Sequence, residues 1–86
     1  MLDLTGKTVL LTGATGGIGR AIAQTLYRQG ANLLLTDMDQ AKLDEFAQQL
    51  GERALGVAVN VADENAPQML LKAAEQFGGV DILINN

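Results

Sequence analysis

Short apolar runs and stretches of helical spacing alternate along this chain. Lys7–Thr12 holds Val9, Leu10 and Leu11 without a polar break, the pattern of a strand buried on both faces of a parallel sheet. It stops at a glycine-rich stretch, Gly13-Ala14-Thr15-Gly16-Gly17. Ile18, Ile22 and Leu26 then recur at i, i+4 and i+8, with Ala21 and Thr25 beside them, and predict a helix. Gly30 ends that helix as a C′ glycine. Asn32–Thr36, built on Leu33, Leu34 and Leu35, predicts a second buried strand that ends at Asp37. Helical spacing returns from Asp39 to Leu50 through Leu43, Phe46, Ala47 and Leu50, and Gly51 stops it. Ala54–Val59, with Leu55, Val57 and Val59, predicts a third strand. Asp63 is placed to cap a third helix, which carries Ala66, Leu70, Ala73, Ala74 and Phe77 on one face and Pro67 near its first turn. Gly78-Gly79 breaks the chain before a fourth strand, Asp81-Ile82-Leu83-Ile84.

The predicted order is β-α-β-α-β-α-β. Such alternation with short connections implies right-handed crossovers and a parallel sheet, an α/β fold. The chain shows no linker, repeat or low-complexity segment, so residues 1–86 read as one unit. It ends at Asn86, directly after the fourth strand. That strand is expected to leave an apolar edge, which proteins usually cover or pair.

Composition narrows the chemistry. The 86 residues include no Cys, His, Ser or Trp. This excludes a disulfide framework, a thiolate metal cage, an imidazole base and a Ser-His triad, and no cluster has metal-ligand spacing. The formal net charge of −4 argues against nucleic acid and against anionic membranes. No apolar run approaches the span of a bilayer, and Met1-Leu2-Asp3-Leu4 lacks the pattern of a secretory signal, so a cytoplasmic protein is expected. A domain this small buries about 60% of its unfolded surface, and marginal stability is expected.

The glycines gather where a strand turns into a helix. Backbone N–H groups at a helix N-terminus have no internal partner, and the helix dipole favours an anion there. Glycine lets the backbone approach a pyrophosphate and allows the tight turn. A P-loop needs Gly-Lys-Ser/Thr, but Gly19 is followed by Arg20-Ala21. The spacing here is Thr12-Gly13-Ala14-Thr15-Gly16-Gly17-Ile18-Gly19. Asp37 lies eighteen positions past Gly19, at the second strand's end, where dinucleotide-binding folds place the carboxylate that holds ribose hydroxyls. Asp81 reads as a residue that supports the sheet. Tyr27, Phe46 and Phe77 read as partly buried helix residues, and Asp44, Glu45 and Glu75 as solvated faces.

These motifs, with Asn60-Val61 after the third strand and Asp81-Ile-Leu-Ile-Asn85-Asn86 in the fourth, resemble the short-chain dehydrogenase/reductase family. Leu4–Gly13 and Gly78–Asn86 are similar to bacterial 3-oxoacyl-(acyl-carrier-protein) reductases within it. The resemblance implies a partial Rossmann (doubly wound) fold with strand order 3-2-1-4. It covers the whole chain but only the first third or so of a family member. It implies that Gly13, Gly17 and Gly19 form the pyrophosphate loop, with Thr12, Thr15, Gly16 and the Ile18 backbone in the same cofactor site. Asp37 would bind the adenosine ribose, and Val61 would wall the adenine. Asn60 stands where members usually carry Asp; its amide can still bond the adenine. Asn85 opens a motif that supports the sheet on the nicotinamide side.

A carboxylate at Asp37 would repel the extra phosphate of NADP and accept from two free hydroxyls, and Gly16 occupies a position where NADP-preferring relatives often carry Arg or Lys. Both features point to NAD. The family's catalytic Asn, Ser and Tyr-x-x-x-Lys are implied to lie beyond Asn86; Tyr27 is followed four positions later by Ala31, not Lys. The chain is therefore expected to be the N-terminal, dinucleotide-binding half of an NAD(P)-dependent oxidoreductase acting on a 3-oxoacyl or alcohol substrate, and to be inactive alone. A homo-oligomer is expected. The alternative is a non-catalytic, truncated or engineered βα module that self-associates through its fourth strand.

Overall fold

The computed structural model describes residues 3–86. Met1 and Leu2, which open the N-terminal stretch without a secretory pattern, lie outside the described residues. In chain order the elements are β1 (Thr8–Leu11), α1 (Gly17–Arg28), β2 (Asn32–Leu35), α2 (Gln40–Leu50), β3 (Ala54–Gly56), α3 (Ala66–Ala74), a 3-10 turn over Glu75–Phe77, and β4 (Ile82–Ile84). The four strands form one parallel sheet, as the alternating pattern predicts, in the order β3-β2-β1-β4 that the family resemblance implies.

The pleat sends alternate residues to opposite faces. Val9, Leu11, Leu33 and Leu35 meet Ala23 of α1 and Leu43 and Phe46 of α2 in one core. Leu10 and Leu34 meet Ala66, Leu70 and Ala74 of α3 in the other. A central strand covered on both sides has no polar face to show, which is why β1 and β2 read as unbroken apolar runs.

Several local expectations change. Phe46, expected to be partly buried, is fully buried, and Phe77 falls in the 3-10 turn beyond α3. The regular pairing of β3 stops at Gly56, earlier than the apolar pattern suggests, because its partner β2 ends opposite it at Leu35. The amides of Val57 and Val59 still donate to Leu35 and Asp37 carbonyls at 2.9 and 3.0 Å, so the segment remains tied to β2's extension. Asp63 does not cap α3. Its carboxylate accepts from the Asn65 amide at 2.9 Å and closes the turn before the helix, leaving Asn65 as an N-cap without a side-chain bond. In α1, Ile18 is 72% exposed and Ala21 and Thr25 face solvent, while Gly19 and Ala23 are buried. The helix lies so close to the sheet and loop that only the small residues fit at the contact. Ile22 and Leu26 pack at its margin.

The ends of the helices are fastened by other means. Gly30 donates to Tyr27 at 3.0 Å and Ala31 to Leu26 at 3.2 Å, the paired bonds of a Schellman ending. Asp39 caps α2 by accepting from the Lys42 amide at 3.2 Å. Among the described residues no helix is long and apolar enough to cross a membrane.

Candidate functional site

Strand order reverses beside β1: β2 lies on one side of it and β4 on the other. In open parallel sheets the crevice beyond the carboxyl ends of such strands is where ligands bind. A cleft of about 230 Å³ opens there. Thr12, Gly13, Asp37, Val61 and Asn85, all expected in a cofactor site, line it. Thr36, Met38, Val59 and Asn86 complete the wall. A larger concavity of about 500 Å³ flanks the far half of α2 and β3, away from these strand ends.

The glycine loop is held from three sides. The Ala14 amide donates to Thr36 O at 3.1 Å, which ties the loop to the end of β2. Asn86 Nδ2 donates to Gly13 O at 3.1 Å, and the Asn86 amide donates to Thr12 Oγ at 3.0 Å, which tie it to the end of β4. Arg20 Nε donates to Thr15 O at 3.0 Å. Gly13 has φ +60°, in the left-handed region, and a Cβ there would meet Asn86 at 3.0 Å. A Cβ at Gly19 would overlap the Gly13 carbonyl oxygen and stand 3.0 Å from Ala14 Cα. The loop can fold back on the first turn of α1 only because Gly19 has no side chain.

Gly16 is the N-cap of α1 and offers no side chain to accept from the first turn. Gly17 and Ile18 are exposed beside it, with no carboxylate in that turn. Nothing stands within 4 Å of where a Cβ on Gly17 would be. The helix start therefore has neither a capping side chain nor a first-turn carboxylate beside its unpaired N–H groups, an arrangement suited to an anion.

Asp37 sits opposite the loop. Its Oδ2 accepts from Thr15 Oγ at 2.6 Å and from the Thr15 amide at 3.2 Å, and its Oδ1 accepts from the Met38 amide at 2.9 Å. The Thr15 hydroxyl holds the Asp37 carboxyl below the ordinary carboxylate range; partial burial opposes this, and the two amides and the Lys42 charge add to it. Asp37 is thus an anion at neutral pH.

Asn60 lies outside this cleft. Its Oδ1 accepts from the Ala62 amide at 3.0 Å within its own exposed turn, leaving only its NH₂ to donate. Asp81 supports the sheet: its Oδ2 accepts from the Thr8 amide at 2.8 Å. Sequence reasoning gives Asn86, Thr36 and Arg20 no role. Asn86 adjoins Asn85 and Thr36 adjoins Asp37, so adjacency to a site residue at a strand's end was the available signal.

The short chain dehydrogenase family model matches residues 7–86. The 3-oxoacyl-[acyl-carrier-protein] reductase of Vibrio cholerae is 41% identical over 86 residues, covering 99% of this chain and 35% of the relative. The oxidoreductase UcpA of Escherichia coli K12 is 44% identical over 90 residues, covering all of this chain and 34% of the relative. Among solved structures, a short-chain dehydrogenase/reductase from Brucella melitensis superposes with a TM-score of 0.90 at 41% identity, covering 95% of this chain and 35% of that one. A 3-ketoacyl-(acyl-carrier-protein) reductase from the same organism, complexed with NADH, gives 0.88 at 35% identity, covering 94% and 34%. The chain thus spans 35% or less of the length of each of these four proteins. With the glycine loop, the acidic end of β2 and the reversal beside β1 in place, this chain belongs to the short-chain dehydrogenase family.

Proposed function

We propose that residues 1–86 form the nicotinamide-dinucleotide-binding half of an oxidoreductase, with NAD as the preferred cofactor. The observation that carries this reading is Asp37: an ionised carboxylate beside the glycine loop, at the switch point of a parallel sheet. The pyrophosphate would lie on the free N–H groups of Gly17, Ile18 and Gly19. The adenosine ribose would donate its hydroxyls toward Asp37, with Val61 against the adenine and the amide of Asn60 within the adjoining turn. Thr12, Gly13 and Asn85 would shape the floor, and Gly16 would leave room without a base to attract a ribose phosphate. When bound, the cofactor supplies a hydride donor or acceptor.

Similarity to two acyl-carrier-protein reductases favours a whole protein that transfers hydride between NAD(P)(H) and a 3-oxoacyl or alcohol-type group in the cytoplasm, a step of fatty acid synthesis. No residue of the 86 has the Tyr-x-x-x-Lys spacing that this chemistry uses in the family, so the chain by itself should hold cofactor without turning over substrate. Titration with NADH, followed by fluorescence or heat, tests the binding. Saturable binding weakened by Asp37→Ala and Gly17→Ala supports it; a folded chain, by circular dichroism, that binds no dinucleotide refutes it.

A second reading, self-association, rests on β4. Among the described residues no strand pairs with its outer edge, and Leu83 beside it is 61% exposed. Its side chain joins Leu70, Leu71 and Pro67 in an apolar groove of about 460 Å³. A second copy pairing along this edge would cover the groove and give a homo-oligomer. Sedimentation showing a monomer at high concentration refutes it.

A further inference from the structure

One side chain of α2 reaches across to the segment that follows β3. Gln40, the first residue of α2, donates through Nε2 to the Gly56 carbonyl at 2.9 Å and accepts at Oε1 from the Ala58 amide at 2.7 Å. Its other Nε2 hydrogen goes to Asp44 Oδ1 at 2.8 Å. A carbonyl and a carboxylate only accept and a backbone N–H only donates, so the Gln40 amide has one orientation and both its hydrogens are used. On the inner side, the Val57 and Val59 amides donate to the Leu35 and Asp37 carbonyls. Alternate residues of an extended chain turn their polar groups in opposite directions, and Gln40 takes the outer set. The segment is thus clamped along both edges just before Val59 and Val61, which line the cleft together with Asp37 and Met38.

We propose that Gln40 is a positioning residue that sets the spacing between the end of β2 and the Val59–Val61 wall, and so the fit of the cleft to a flat purine base. Thr36 Oγ and the two carbonyls fasten only the inner edge of the segment. Gln40 fixes the outer edge to α2, which starts three residues after Asp37. Gln40 is itself exposed, so water replaces much of what its bonds add to stability. Water does not hold a spacing, and a wall that shifts slightly loses its close contacts with a ring. The cost of losing the Gln40 amide therefore falls on recognition of the base more than on folding. The inference rests on the dinucleotide reading above and adds to it a residue that touches no cofactor atom.

The test is titration calorimetry with NAD⁺ and with nicotinamide hypoxanthine dinucleotide, which differ only in the base, for the parent, Gln40→Met and Arg53→Lys. Methionine keeps the length and helix preference of glutamine without its hydrogen bonds. The parent should prefer NAD⁺. Gln40→Met should weaken NAD⁺ binding about threefold to tenfold, the factor of a hydrogen bond or less, and weaken the analogue less, so that the preference shrinks. Arg53→Lys, which loosens the far end of α1, should leave the preference unchanged. If melting shows Gln40→Met to be unfolded, Gln40→Glu carries the same expectation, because its carboxylate accepts from Ala58 but has no hydrogen for Gly56. An unchanged preference in the folded Gln40 variant, equal loss of both ligands, or the same shrinkage in Arg53→Lys overturns the positioning role and leaves the dinucleotide reading standing. A parent that binds both ligands equally overturns it as well, since the cleft then has no grip on the base. A parent that binds neither overturns the dinucleotide reading and this inference with it.

Discussion

The hydroxyl of Thr12 donates to Oδ1 of Asn85 at 2.9 Å across the paired strands β1 and β4. The same oxygen accepts from the Asn86 amide at 3.0 Å, and Asn86 in turn holds the Gly13 carbonyl. One hydroxyl thus fastens the end of β4 to the start of the glycine loop. Thr12→Val keeps the shape and removes both bonds. The partners are exposed and water replaces the loss in part, so the cost should be about 1 kcal/mol. Urea unfolding should show a lower midpoint with an unchanged slope. Dinucleotide binding should weaken beyond that cost, because the loop loses its register.

Two glycines of the loop should separate folding from binding. Gly19→Ala drives a methyl into the Gly13 carbonyl, backbone that cannot move aside without opening the loop. It should destabilise the protein by about 1–3 kcal/mol, the range for overpacked sites. Gly17→Ala meets nothing within 4 Å and stands at the first position of α1. Its stability should equal or exceed the parent's, since Ala favours helix. Its added methyl nevertheless occupies the face that would receive a pyrophosphate, so NADH binding should fall. Melting curves and titrations of both variants check the contrast.

The pattern that was legible in the chain is the one that burial writes into residue type. Val9-Leu10-Leu11 and Leu33-Leu34-Leu35 are strands covered on both faces, and continuous apolar sequence is the direct consequence. The site was legible at Gly13, Gly19 and Asp37 because close approach and charge limit which residues fit there. What could not be read depends on contacts between distant segments. Asn86 meets Gly13 only because β4 docks beside β1, 73 positions away in sequence. The pairing of Thr15 with Asp37 spans 22 positions and a helix. The solvent-facing side of α1 was misread for a related reason. Apolar size marks a buried face when a helix packs at ordinary distance, but at Gly19 and Ala23 the close approach selects the smallest residues instead.

Asp37 should make stability depend on pH in a defined window. Its carboxyl lies below the ordinary value in the folded protein, so it stays ionised to lower pH there than in the unfolded chain. The stabilisation is complete above about pH 5 and is lost as the pH falls through about 3.9 toward the folded value. Asp37→Asn has no proton to exchange. The stability gap between parent and variant should therefore be widest near neutral pH and narrow on acidification. Asp3, lowered by Thr5, titrates in the same window but is common to both proteins. Denaturant midpoints measured between pH 3 and 7 decide it, and a constant gap rejects the role of the Thr15 contact.

Arg53 closes the C-terminal end of α1 from outside the helix. Its guanidinium lies 3.8 Å from the centre of the Tyr27 ring, donates to the Tyr27 carbonyl at 3.1 Å and also bonds the Ala31 carbonyl. Its own amide donates to the Tyr27 hydroxyl at 3.3 Å. Lysine keeps the charge but not the planar fork that reaches two carbonyls while stacked. Arg53→Lys should cost about 1–2 kcal/mol. In a domain of this size each kcal/mol lowers the melting temperature by about 4–8 °C, readable by circular dichroism.

Thr8 and Thr36 are both fully buried, yet the same substitution should act on them in opposite directions. Thr36 Oγ donates to the Val57 carbonyl at 2.8 Å and ties the end of β2 to the segment after β3. Thr8 Oγ has no hydrogen-bond partner among the described residues. A buried hydroxyl left unpaired costs about 1–3 kcal/mol relative to water, whereas a methyl in its place is favoured. Valine matches threonine in shape and in preference for strands. The backbone bonds of Thr8, including that from its amide to Asp81, do not involve the side chain. Thr8→Val should therefore raise stability by about 1 kcal/mol, while Thr36→Val should lower it by about 1–2 kcal/mol by stripping the Val57 carbonyl of its partner. The two sites share no bond, so the double variant should show the sum of the two effects within about 0.5 kcal/mol. A destabilised Thr8→Val would mean that its hydroxyl does find a partner in solution, and the Thr8 assignment would then have to be withdrawn.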